Sequence, residues 1–128
     1  MDKEKFTLEY PLHSHSQQVI WEAISTASGL AQWFADKVSF TNRHAQFQWG
    51  DEEIREADII AMRPLHFIRF HWSDDDWQRG YFELKMTVNE MTGMCMLEVT
   101  DFAEADEMES QIELWNAQIE DLIRNTGM

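Results

Sequence analysis

Cysteine, proline, glycine and positive charge are all scarce in this chain of 128 residues, and each shortage excludes something. The single cysteine, Cys95, leaves no intramolecular disulfide; it lies in an apolar run with no cation beside it, which predicts a buried, inert thiol. Ten Lys and Arg face 24 Asp and Glu, a formal charge of −14. Phosphate backbones and anionic surfaces are therefore repelled at long range, and nucleic acid is excluded as a partner. No stretch approaches the ~18 continuous apolar residues of a membrane span or the shorter core of a signal peptide. With the immediately charged Met1-Asp2-Lys3-Glu4-Lys5, this predicts a cytoplasmic protein. A nucleophile elbow, a phosphate-cradling glycine loop, paired cysteines and a zinc-helix signature are all absent, so no catalytic residue and no cofactor is expected.

What is present is apolar and aromatic. The apolar fraction is 44%, with eight Phe, six Trp and two Tyr, which is more than a disordered chain carries. The length suits a single domain spanning residues 1–128, since domains commonly run to ~100–150 residues. The acidic residues are spread over Asp51-Glu52-Glu53, Asp74-Asp75-Asp76 and Glu104 to Glu109, which reads as solvated surface.

The order of elements follows from periodicity. Phe6, Leu8, Tyr10 and Leu12 alternate with polar residues as a half-buried strand does, and Pro11 limits how central that strand can be. Ser14 and Ser16 are cap residues ahead of a short helix from about Gln17 to Ser25, broken by Thr26-Ala27-Ser28-Gly29. Leu30 and Phe34, four apart, then predict a second short helix with Trp33 beside them.

From Val38 the period becomes two, cut by turn signals at Asn42-Arg43, Gly50-Asp51, Arg63-Pro64, Ser73 to Asp76 and Asn89 to Gly93. This predicts an antiparallel meander with one apolar face: Val38, Phe40, Phe47, Trp49, Ile59, Ala61, Ile68, Phe70, Trp72, Phe82, Leu84, Met86, Val88, Cys95, Leu97 and Val99. Met108, Ile112, Trp115, Ile119 and Leu122 recur at helical spacing between Glu104 and Asn125, so a long amphipathic helix, ended by Gly127, must cover that face. The fold class is α+β, a curved antiparallel sheet around a long C-terminal helix.

The helix pair with Gly29-Leu30-Ala31-Gln32-Trp33-Phe34-Ala35-Asp36, the strand Ile68-Arg69-Phe70-His71-Trp72, and Cys95-Met96-Leu97-Glu98-Val99-Thr100-Asp101-Phe102 leading to the Trp115 helix carry a family resemblance. From Tyr10 to Ile123 the chain resembles the START-like superfamily, closest to the branch named for activators of heat-shock-protein ATPase. The resemblance implies a helix-grip fold with a cavity between sheet and helix that in many members holds a hydrophobic ligand. Two positions depart from the family: Cys95 stands where Thr is frequent, and Asp101 where His is frequent.

The candidate ligand-binding residues are Phe34, Phe40, Phe47, Trp49, Ile68, Phe70, Trp72, Phe82, Leu84, Met86, Trp115 and Ile119. Large rings both fill and line space, so this set makes either a filled core or a pocket. Met62, Met86, Met94 and Met96 would make such a pocket deformable. His13, His15 and His66 lack a carboxylate or thiolate at ligand spacing and read as surface histidines, and Asp74-Asp75-Asp76 reads as a hairpin turn rather than a calcium loop. Glu56 and Asp58 would share one strand face; were that face the cavity, one would serve as a general base, and otherwise both are outward charges.

Three functions follow in order. The first is non-enzymatic binding of a small hydrophobic, lipid-like or aromatic molecule. The second is a protein-interaction module of the chaperone-activator type with a basic partner; in each case the chain is expected as a monomer or weak homodimer. The third is a small hydrolase or cyclase.

Overall fold

The computed structural model describes residues 3–14 and 16–128. The first strand, β1 (Glu4–Pro11), leads through Ser16 into α1 (Gln17–Ser25), where the Ser16 hydroxyl accepts the Val19 N–H. Thr26 serves two helices at once. Its hydroxyl donates to the Glu22 carbonyl at the end of α1 and accepts the Gly29 N–H at the start of α2 (Ala27–Leu30).

The second helix is thus shorter and earlier than the Leu30–Phe34 spacing predicts. The Leu30 carbonyl accepts N–H groups from Trp33, Phe34 and Ala35, so the chain unwinds in a turn that carries the two aromatics. Only the Phe34 bond, at 2.8 Å, keeps the helical four-residue step.

The meander follows as β2 (Lys37–Thr41), β3 (His44–Trp49), β4 (Glu53–Arg63), β5 (Phe67–Trp72), β6 (Phe82–Val88) and β7 (Cys95–Ala103). With β1 they form one seven-stranded sheet in the order β1-β7-β6-β5-β4-β3-β2, antiparallel at every pairing. Asn42 at φ 58° makes the two-residue turn between β2 and β3, a conformation Asn tolerates better than most residues.

The alternation fails in one strand. A bulge between Ile59 and Ala61 sets Ala61 opposite Arg69 on the outer face, leaving Ala61 only half-buried and Ile60 exposed. At the end of β6, Val88 is also exposed.

The last helix, α3 (Met108–Thr126), starts four residues after Glu104, where an uninterrupted helix was expected to begin. Residues 104–107 offer only Ala105 among three carboxylates, so burial rewards no helical turn there, and the Glu107 N–H instead closes a turn on the Glu104 carbonyl. Gly127 ends the helix in the left-handed region at φ 75°. Trp115, Ile119 and Leu122 face the sheet and are buried. The core beneath them is closed: Phe47, Ile68, Phe70, Leu84, Leu97 and Val99 have no exposed surface. Cys95 lies in this core, a free and buried thiol.

Candidate functional site

The core opens at one end of the sheet. There the ends of β3, β4 and β5 and the exposed flank of α3 enclose a cleft of about 280 Å³. Its aromatic walls are Phe34, Trp49, Trp72 and Trp115; Leu114, Gln111 and Gln118 of α3 form the rim. Glu53, Arg55 and Asp101 supply charge. Phe34 is the keystone of the floor. Its ring lies 5.7 Å from Trp49, 6.5 Å from Trp72 and 5.8 Å from Trp115, and it also meets Phe47 at 5.1 Å and Phe82 at 5.6 Å in the closed core.

Hydrogen bonds fix the turn that presents this ring. The Phe34 carbonyl accepts from Trp49 Nε1 at 2.8 Å and from Gln118 Nε2 at 3.2 Å, and the Gln32 carbonyl accepts from Asn125 Nδ2 at 2.6 Å. Sheet, turn and α3 are thereby joined at the mouth. Trp33 looks the other way: it is buried, and its Nε1 donates to the Ala23 carbonyl of α1 at 2.9 Å. It clamps the turn to α1 and leaves the cleft to Phe34.

Arg55 lies over the Trp72 ring, its Cζ 3.8 Å from the centroid, and its Nε and Nη2 donate to the two oxygens of Asp74 at 3.2 and 3.0 Å. That pairing holds Asp74 below the usual carboxylate range. Asp101 sits opposite. Its Oδ2 accepts Trp115 Nε1 at 2.9 Å and its Oδ1 accepts the Phe102 N–H at 2.7 Å. Burial pushes its carboxyl up, and these two bonds only partly offset that.

The Asp101 shift has a measurable sign. A carboxyl that holds its proton more tightly when folded makes the folded state bind more protons than the unfolded chain, so stability falls as pH rises through the window from the ordinary carboxylate value to the raised one. Below that window the cost is absent and above it the cost is complete. Asp101→Asn cannot titrate, so the stability of wild type relative to this variant should decline with rising pH across the window. Urea unfolding of both proteins over the acid range measures it, and a pH-independent difference would show that Asp101 titrates normally.

Of the predicted ligand-binding set, Phe34, Trp49, Trp72 and Trp115 meet at the cleft. Phe47, Ile68, Phe70, Phe82, Leu84, Met86 and Ile119 lie in the closed core behind it, none more than 4% exposed. Phe40 is half-buried on β2, its ring 6.4 Å from Phe70. Glu53, Arg55, Asp101, Gln111, Leu114 and Gln118 were missed, Asp101 having been noted only as a departure from the family pattern. The one sequence signal for them was Leu114, an apolar side chain off the buried stripe of α3 and 53% exposed.

The remaining candidates lie elsewhere. Glu56 and Asp58 do share a face, the outer one, where both are exposed and hold His44 between them at 2.7 and 2.9 Å. Those two bonds raise the His44 pKa. Asp74-Asp75-Asp76 lies in the loop between β5 and β6, with Asp75 Oδ1 accepting the Trp77 N–H at 3.0 Å. His66 lies in the turn between β4 and β5, and His13 follows β1, while His15 is outside the described residues. Among the described residues no group of three His, Cys, Asp or Glu is placed to hold a metal ion, and no helix is long and apolar enough to cross a membrane.

Solved structures share this fold. BfR322 from Bacteroides fragilis, solved in solution by NMR, is 52% identical over 97% of this chain and 91% of that chain, with a TM-score of 0.69. The Aha1 dimer from Colwellia psychrerythraea has a TM-score of 0.78 over 97% of this chain and 98% of that one. DynU16, from the dynemicin biosynthetic locus, has a TM-score of 0.74 over 98% of this chain and 49% of that one. At 14% and 18% identity, these last two share the fold alone. No curated protein matches the chain. The START-like superfamily domain matches residues 1–128. A sheet wrapped on one long helix, matched over its whole length and in a relative 52% identical, places the chain in the START-like superfamily, to which it belongs.

Proposed function

We propose that this protein binds a small, flat hydrophobic molecule, without turnover, in the cleft between the sheet and α3. The observation that carries this reading is the convergence of Phe34, Trp49, Trp72 and Trp115 on one opening, with half-exposed Leu114 at its rim. Ligand sites are mostly apolar concavities with a few orienting polar groups, and this one has Asp101, Arg55 and Gln111 in that role. Its volume of about 280 Å³ lies at the bottom of the ~300–1,000 Å³ range of such sites. With the core behind it closed, a compact ring system fits better than a long acyl chain.

The test begins with native mass spectrometry of protein purified gently from its own source, looking for a stoichiometric adduct. Titration with indole and naphthol then reads the three cleft tryptophans by fluorescence. Saturable quenching is expected, weakened about tenfold or more in Leu114→Arg. That variant keeps a good helix former at an exposed site while filling the mouth. Quenching that survives Leu114→Arg unchanged would move the site elsewhere, and the absence of any binding would end the reading.

A protein-interaction module is the rival, supported by the formal charge of −14. It predicts an association with a basic partner that speeds up at low salt and ignores Leu114→Arg.

A further inference from the structure

The charges around the cleft are unevenly matched. Among the described residues Arg55 is the one cation lining it, and the Nε–Nη2 edge of its fork is already engaged by Asp74. Glu53 and Asp101 line the same cleft and make no direct ion pair among the described residues, Lys3 and Arg55 acting on Asp101 only at longer range. A smaller hollow of about 140 Å³ adjoins it, sharing Arg55, Trp72, Asp101 and Gln111. There Lys3 is paired with Asp75 at 3.8 Å, and Glu107 adds another carboxylate.

Resting on the reading above, we propose that the cleft selects cations: a flat, protonated aromatic amine or amidine, stacked on the tryptophan faces with Asp101 as its counter-charge. Three observations bear on this. The Arg55 guanidinium is itself a planar cation stacked 3.8 Å over Trp72, so a ring of this cleft already presents its electron-rich face to positive charge. The Asp101 oxygens each accept one hydrogen bond, leaving acceptor capacity on both for an N–H donor. The folded protein has already borne the desolvation of that carboxylate, so an incoming cation gains a partner preorganised in a low-dielectric wall. An anionic ligand would meet only the remaining Nη1 side of the Arg55 fork while facing Glu53 and Asp101.

Two probes on three-ring frames separate the alternatives: proflavine, a cation, and anthracenecarboxylate, an anion. Both are titrated in ~1 M salt, where the screening length falls to ~3 Å and attraction to the acidic surface at large is suppressed. Proflavine should bind about tenfold or more tightly than the anion, as a desolvated cation–π contact with a counter-charge allows. Asp101→Asn should erase most of that preference without weakening the anion. Glu53→Gln, at an exposed rim position, should reduce it by a smaller factor and serves if Asp101→Asn folds poorly.

Equal affinities for the two probes, both lost in Leu114→Arg, overturn charge selection and leave the cleft as a binding site. Binding of neither overturns both readings. A preference for proflavine that persists in both carboxylate variants places its origin outside the cleft and overturns the proposal.

Discussion

Phe34→Ala lowers the stability of the folded protein by about 4 kcal/mol, near the middle of the range for truncating a buried Phe. The residue lies in a turn and borders the cleft, so a solvated rim position with a loss under about 1 kcal/mol would be the ordinary expectation for such a place. Packing decides otherwise. Phe34 is 4% exposed, and its ring meets those of Trp33, Phe47, Trp49, Trp72, Phe82 and Trp115 at centroid distances of 5.1 to 6.5 Å. Such pairs contribute about 0.5–1.5 kcal/mol beyond buried area, and the surrounding rings belong to separate elements that cannot all close on the void. Chemical unfolding measures the loss directly. Phe34→Leu restores part of the volume and should recover part of the stability. A loss below about 1 kcal/mol in Phe34→Ala would place the ring at a wet rim after all.

The meander, its turns and the covering helix were legible because each depends on short-range signals. Alternation placed Phe47, Phe70, Phe82 and Leu97 inward, and the α1 boundaries followed from Ser16 at one end and Thr26 at the other. Depth was not legible. Phe47 and Trp49 are two residues apart with the same alternation, yet Phe47 is sealed and Trp49 borders the cleft, because only the strand end escapes α3. The bulge at Ile60 adds a residue to one strand relative to its neighbour, and no period within β4 alone records it.

The polar groups of the cleft were hidden for a related reason. Arg55 meets Asp74 across 19 residues and Asp101 meets Trp115 across 14, so these pairings exist only once the sheet and α3 are assembled. Glu56 and Asp58 show the converse case. Their shared face was readable from alternation, but which side of the sheet it would be depended on where the helix packs.

Gly29→Ala tests whether local preference or close packing governs the segment that carries Phe34. Gly29 lies within α2, and on helix propensity alone alanine should be better there by about 1 kcal/mol. The surroundings reverse that sign. A Cβ on Gly29 would come 2.0 Å from the Glu22 carbonyl oxygen and 2.8 Å from the Ala23 Cα, both backbone atoms of α1 that no rotamer change can move. Relief requires α1 and α2 to separate. The same crossing holds the Thr26 bonds to Glu22 and Gly29 and the Trp33 bond to Ala23, so separation strains all of them. Overpacking typically costs about 1–3 kcal/mol and more where backbone must shift, so a net loss of about 3 kcal/mol is expected. Because α2 feeds directly into the turn that sets Phe34, the displacement should also weaken binding at a cleft more than 70 residues away in sequence at Asp101. A more stable Gly29→Ala protein would show that α1 and α2 are not in close contact and that propensity rules the segment. A destabilised variant with weakened binding would show that the Gly29 crossing positions the cleft floor.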